Sequence, residues 1–253
     1  MSSLRLHHLS TGYRQKVVAR GLNATLEGGQ LTCLLGPNGA GKSTLLRTLC
    51  AFQPPLEGRI EIDGCDLDTL TPKDVSTRIA VVLTDRVDVH GLRVSDLVGM
   101  GRMPYTGFWG RLQDADLEAV AEAIRLVGIE ALANREVDTL SDGERQKVMI
   151  AKALAQQTPV ILLDEPTAFL DFPSKVEMML LLRRLAHDTG RAILLSTHDL
   201  DMALQTADTL WLLSQSEGLA MGTPQQLAES DQLSRFFQSP HMRFDKLSMR
   251  FVI

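Results

Sequence analysis

Apolar and polar positions fall into three textures along this chain. Residues 4–35 alternate with the two-residue period of half-buried strands, with turns expected at Gly12 and at Gly28-Gly29. Helical spacing follows over 42–51. EGRIEIDG (57–64) returns to strand after a Pro54-Pro55 turn, and Pro72 to Arg78 reads as a short helix. IAVVL (79–83) is a continuous apolar run, as expected of a strand buried on both faces.

From about 84 to 140 the strand signal disappears. VSDLVGMGR and DADLEAVAEAIRLVGI are amphipathic helical stretches. In the second, Leu117, Val120, Ala121, Ile124 and Val127 recur at 3.6 spacing. The loop between them, RMPYTGFWGR, gathers Tyr105, Phe108 and Trp109, either as a local packing cluster or as a contact surface. Alternation of helix and strand then resumes: helix 144–156, strand 160–164, helix 174–186, strand 192–196, helix 199–207 and strand 209–213. This order predicts a mostly parallel sheet covered on both faces. The expected organisation is an α/β core over 1–83 and 157–213, part of it antiparallel, with an inserted helical subdomain over 84–156. Residues 214–253 read as an appendage, with a short helix near 224–230 and a last strand in LSMRFVI. There is no internal repeat and no low-complexity segment.

Composition narrows the class. The 253 residues, 44% hydrophobic and 23% charged, suit one large α/β domain or two small ones. A net charge of −5 argues against broad nucleic-acid binding, so no nucleic-acid partner is expected. Cys33, Cys50 and Cys65 have no metal-ligand spacing and read as reduced thiols of a cytosolic protein. MSSLRLHHLS lacks the pattern of a signal peptide, and no apolar run approaches the ~20 residues of a spanning helix. A role at a membrane would need a second polypeptide to supply the membrane part.

LTCLLGPNGAGKSTLLRTLC (31–50) carries the first chemistry. Gly36-Pro37-Asn38-Gly39-Ala40-Gly41-Lys42-Ser43 matches G-x-x-x-x-G-K-[ST] between a buried-strand run and a helix that begins through Thr44. The loop's N–H groups form an anion nest, and the helix adds its positive dipole end. Lys42 can reach the β- and γ-phosphates, and Ser43 can offer its hydroxyl to Mg²⁺. VILLDEP (160–166) ends a second buried strand in two acids. Beside a phosphate loop, Asp164 suits the magnesium and Glu165 suits polarising an attacking water. Alone, the pair would equally open a turn at Pro166. His198, in ILLSTHD, closes a third buried strand, either as a structural residue or within reach of the γ-phosphate.

TLSDGERQK (139–147) begins a helix with a capping box, Ser141 to Glu144. It also resembles the signature of ABC-type ATPases, LSGGQ followed by a basic helix. The resemblance spans nearly the whole chain in the family's order: Tyr13 in TGYRQ, the P-loop, the helical subdomain, Leu140–Glu144, VILLDEP, AFLD (168–171) and STHD. It implies the α/β P-loop ABC-ATPase fold: a RecA-like, mostly parallel core sheet, an N-terminal antiparallel β subdomain and an α-helical subdomain. It implies ATP hydrolysis, with Tyr13 stacking on adenine, Gly36 to Thr44 holding the phosphates, Ser43 and Asp164 on Mg²⁺, and Glu165 and His198 as catalytic residues. In the family, the signature residues, here Ser141, Gly143 and Glu144, close over ATP held by a twin subunit, so a head-to-tail homodimer is implied. Two departures stand out. Thr84, with Asp85 beside it, occupies the likely slot of a glutamine that touches the metal and senses the membrane partner. Asp142 and Glu144 replace glycine and glutamine, which implies an altered ATPase rate unless they point outward or pair with cations such as Arg145 or Lys147.

One P-loop, no spanning helix and no heptad coil leave a stand-alone ATPase subunit that docks on a separate permease. VSDLVGMGRMPYTGFWGR resembles the bacterial importer branch for iron–siderophore complexes, haem and cobalamin. That implies an integral permease, an extracytoplasmic substrate-binding protein and a peripheral position at the cytoplasmic face of the cell membrane. Another import or export system, or a soluble ATP-driven switch acting on a protein or nucleic acid, stays open on the residues alone.

Overall fold

Alternating apolar residues open the chain as two long strands, β1 (Ser3–Tyr13) and β2 (Lys16–Glu27), which pair antiparallel. The computed structural model describes residues 3–13, 16–84, 91–107, 110–237, 243–246 and 248–252. β3 (Leu31–Leu35) leads into the glycine loop and α1 (Lys42–Leu49). β4 (Glu57–Ile62) and β5 (Cys65–Asp66) return to β1, completing a four-stranded antiparallel sheet in the order β2-β1-β4-β5. α2 (Pro72–Ser76) starts where Thr71 and Asp74 cap each other, with proline in its first turn, and precedes β6 (Ile79–Val82).

The helical region holds α3 (Val94–Gly99), α4 (Asp114–Val127) and α5 (Asp142–Ala155). Then come β7 (Val160–Leu163), α6 (Phe172–Thr189), β8 (Ala192–Ser196), α7 (Leu200–Thr206), β9 (Thr209–Ser214) and β10 (Gly218–Gly222). α8 (Pro224–Glu229), α9 (Gln232–Phe236) and a hairpin of β11 (Arg243–Asp245) with β12 (Arg250–Val252) follow. The second sheet has six strands in the order β10-β9-β3-β8-β7-β6. β3 and β6 to β9 are parallel, and β10 joins antiparallel at one edge.

Both faces of this sheet are covered, so its strands read as unbroken apolar runs. Cys33, Ile161, Ile193 and Leu210 face one core with the helices of the helical region and α6. Leu34, Leu162, Leu194 and Trp211 face the other, against Leu45 and Leu49 of α1 and Leu4, Leu9 and Leu26 of the antiparallel sheet. The two-residue period of a strand sorts neighbouring side chains into these two cores. Cys33 and Cys50 are buried and all three cysteines are free. Burial pushes the Cys50 thiol up to about 12, with the charge of Asp164 adding to it.

Three expectations are corrected. Gly12 lies inside β1 opposite Val17, and no turn occurs there; a Cβ on it would run into the Lys16 carbonyl, so close strand approach explains the glycine. On α4 the inward face is Asp116, Ala119, Val120, Ala123, Ile124 and Val127, whereas Leu117 is 53% exposed and Ala121 faces solvent. The stripe rotates because Asp116 is buried against Arg102, whose Nε donates to its Oδ1 at 2.9 Å. The single strand expected in LSMRFVI is only Arg250–Val252, and β10 and α9 fall in stretches with no expected element.

Candidate functional site

All five parallel strands of the six-stranded sheet run the same way, so the segments leaving β3, β6, β7 and β8 emerge at one edge. Open α/β sheets bind ligands outside these carboxyl ends. β3 delivers the glycine loop, its neighbour β8 delivers His198, β7 delivers Asp164 and Glu165, and β6 delivers Thr84. Parallel pairing brings together residues that lie far apart in sequence.

A cavity of about 420 Å³ lies at this edge, lined by Tyr13, Lys16, Asn38, Gly39, Gly41, Lys42, Ser43, Thr44, Glu165, His198 and Gln215, among others. α1 begins at Gly41 with no side-chain cap and no acid in its first turn, so its N-terminus is left to an anion. Lys42 is buried, and its Nζ donates to the carbonyls of Gly36 at 2.7 Å and Pro37 at 3.4 Å. Burial pulls its ammonium below the usual lysine range, while the charges of Glu165 and Asp164 act in the opposite sense. Gly36 and Ala40 are buried in the loop's base; Pro37, Asn38 and Gly39 are exposed. Tyr13 ends β1 half-exposed, its hydroxyl accepting from Thr44 Oγ1 at 3.4 Å, and presents its ring to the cavity.

Glu165 and His198 meet directly, Oε1 to Nε2 at 2.5 Å, and both line the cavity. Glu165 has φ 48°, a left-handed conformation that costs about 1–3 kcal/mol for a residue with a side chain. Asp164 does not line the cavity; it lies beside Leu46 and Arg47 of α1, and its Oδ1 accepts from Ser196 Oγ at 2.7 Å. No group of three or more His, Cys, Asp or Glu placed to hold a metal ion occurs among the described residues. A dedicated metal cage is therefore absent from them, but one carboxylate with one hydroxyl suits Mg²⁺, which draws its other ligands from water and phosphate. Ser43 and Asp164 are the residues that could hold it.

Two contributors carry no motif signal. Gln215 Nε2 donates to the Gly39 carbonyl at 2.8 Å and pins the glycine loop from beyond β9. Ser196, fully buried, bonds both Asp164 and the Glu165 amide. A polar residue closing the apolar run AILLS is its one visible signal. Thr84 turns its hydroxyl onto the Asp164 main-chain carbonyl at 2.7 Å instead of toward a metal. Asp85 lies outside the described residues.

Ser141, Gly143 and Glu144 lie at the start of α5 and do not line this cavity. Ser141 N and Oγ donate to Glu144 Oε2 at 2.9 and 3.0 Å, and Glu144 N donates back to Ser141 Oγ at 3.3 Å. The Ser141 amide and hydroxyl, with help from Arg135 and Lys147, hold the Glu144 carboxyl below its usual range. Its cation partner is Arg135 at 3.5 Å, and Lys147 pairs instead with Glu177 at 3.6 Å.

A second, larger space of about 590 Å³ is an apolar groove lined by Phe52, Pro54, Leu67, Leu70, Val75 and Gln156, among others. Gln156 also accepts the Tyr105 hydroxyl on its carbonyl at 2.9 Å, and the Arg102 guanidinium lies over the Tyr105 ring at 4.1 Å. The RMPY run thus braces one wall of the groove. Phe108 and Trp109 lie outside the described residues.

Comparison with known proteins gives the geometry a context. Residues 19–168 match the family model described as ABC transporter. The ferric enterobactin transport ATP-binding protein of Escherichia coli is 35% identical over 237 residues, 94% of this chain and 88% of that protein. An ABC transporter assigned to the metal-chelate type, solved in an inward-facing conformation, superposes with a TM-score of 0.81 at 27% identity over 100% of this chain and 96% of that one. A dimeric bacterial ABC transporter cassette gives a TM-score of 0.72 at 25% identity, over 87% and 98%.

Proposed function

The chain belongs to the ABC transporter family, as an ATPase subunit whose hydrolysis of ATP is coupled to transport, and on that premise we propose that it powers import of an iron–siderophore, haem or cobalamin-type metal chelate through a separate permease. The observation that carries this reading is the likeness to an enterobactin system's ATPase over nearly the whole chain. An extracytoplasmic binding protein would deliver the chelate, and the ATPase would sit at the cytoplasmic face of the membrane through its permease. No helix among the described residues is long and apolar enough to cross a membrane. The apolar groove beside Tyr105 supplies a surface for a permease segment.

Relatives of the family dimerise and pair with permeases. In our reading two copies of this chain pair head to tail, and Ser141, Gly143 and Glu144 of one complete the site on the other. Their absence from the lining of the chain's own phosphate-loop cavity supports this. Tyr13 would stack on the adenine, and the N–H groups from Gly39 to Thr44 would hold the phosphates. Lys42 would transfer its hydrogen bonds from the Gly36 and Pro37 carbonyls to phosphate oxygens. Ser43 and Asp164 would hold Mg²⁺, which supplies charge neutralisation on the phosphates. Glu165 would take the proton of the attacking water, held in place by His198 Nε2. Closure of the pair on ATP would draw the permease into its other conformation, and hydrolysis would release it.

The test is uptake of labelled ferric siderophore, haem and cobalamin by cells lacking this protein and by cells carrying Lys42→Ala. Loss of one of the three in both is expected. Unchanged uptake of all three would overturn metal-chelate import, and an active permease complex without Mg²⁺-dependent ATP hydrolysis would overturn the mechanism.

A further inference from the structure

The turn carrying Asp164 and Glu165 is bent into a conformation that side chains disfavour, with Glu165 at φ 48°. Such a bend persists only where its surroundings over-determine it. All four of its main-chain polar groups have partners. Asp164 N donates to Val82 O at 2.9 Å, and Glu165 O accepts from Ala168 N at 3.1 Å. The other two are met by hydroxyls. Thr84 Oγ1 donates to Asp164 O at 2.7 Å, and Ser196 Oγ accepts from Glu165 N at 2.9 Å. Ser196 then donates its own proton to Asp164 Oδ1 at 2.7 Å. β6 and β8 flank β7, so one hydroxyl arrives from each side.

We propose that Thr84 is a positioning residue for ATP hydrolysis, which with Ser196 clamps the Asp164–Glu165 turn and fixes the directions of both carboxylates. The inference rests on the ATPase reading and goes beyond it by giving this chain's Thr84 a task. Its hydroxyl acts on the protein's own backbone, through the turn, and reaches neither phosphate nor metal. The clamp keeps Asp164 Oδ1 occupied and holds the Glu165 side chain on His198.

The test compares Thr84→Val, Thr84→Ser and Ser196→Ala in the full chain. Three readouts apply: kcat against KM for ATP, the Mg²⁺ concentration giving half-maximal rate, and hydrogen exchange of the Glu165 amide without nucleotide. Thr84→Val should lower kcat about tenfold, roughly the effect of one lost positioning contact. It should leave KM for ATP within about twofold, raise the Mg²⁺ requirement and speed Glu165 exchange. Thr84→Ser should behave as wild type. Ser196→Ala, which reads the same turn from the other strand, should reproduce the exchange change. A Thr84→Val chain with wild-type rate and exchange would overturn the clamp, as would a Thr84→Ser chain as impaired as Thr84→Val. A wild-type chain unable to hydrolyse ATP would overturn the ATPase reading and the clamp together. An active wild type indifferent to Thr84→Val would overturn the clamp alone.

Discussion

Gly41 closes the phosphate loop under two separate constraints, and a small set of variants can separate them. Its φ is 105°, and a Cβ on it would stand 2.5 Å from Val18 Cγ1. Gly39 has φ 80° with nothing within 4 Å of the same added atom. Gly39→Ala therefore introduces backbone strain alone, about 1–2 kcal/mol. Gly41→Ala introduces similar strain and also overpacks against β2, which adds about 1–3 kcal/mol. The sum is about 2–5 kcal/mol, a large share of the 5–15 kcal/mol that holds a domain together. Val18→Ala removes the methyl groups in the way and leaves the dihedral unchanged. In a double-mutant cycle the two substitutions should couple favourably by about 1–3 kcal/mol, the overpacking share. Urea unfolding of the four single and double variants, without nucleotide, measures each quantity. Equal destabilisation by Gly39→Ala and Gly41→Ala, or no relief from Val18→Ala, would refute the steric reasoning.

Lys42→Ala should weaken ATP binding at least about tenfold, since a charge-assisted contact to phosphate contributes about 1.5–3 kcal/mol; titration with a fluorescent ATP analogue checks this. Glu165→Gln should cut hydrolysis by about 10²–10⁴ while sparing binding, and gel filtration with ATP should show a dimer; a monomer would count against paired sites. Hydrogen bonds from the Gln113 amide and the Arg102 side chain hold the Asp116 carboxyl below its usual range. Because the folded value is depressed, its stabilising contribution is present above the ordinary aspartate value of about 3.9 and fades as pH falls through the lower, folded one. The melting-temperature gap between wild type and Asp116→Asn should accordingly shrink on acidification below about pH 4.

The sequence carried the strand and loop chemistry because that chemistry is local. The spacing from Gly36 to Ser43 is dictated by backbone geometry, and the acids of VILLDEP follow a run too apolar to be anything but buried. The α4 face departs from its sequence pattern for the opposite reason. Asp116 looks like a solvent residue until Arg102, fourteen positions earlier, is seen to bond it in the core. Leu117 looks like a core residue until that pair has taken the inward direction. Gln215 could not be read at all, since its bond to the loop spans 176 positions with no periodic trace. β10 is short, starts and ends in glycine, and gains its strand form from β9 alone. Thr84 stands out in the sequence as a departure from the expected glutamine, but which neighbour its hydroxyl meets depends on strand order.

The phosphate loop is braced by the chain's own groups. Lys42 donates to two of its carbonyls, and Gln215 tethers Gly39 from beyond β9. On the proposed reading, a triphosphate would arrive by an exchange of partners at one ammonium, not by the capture of a free one.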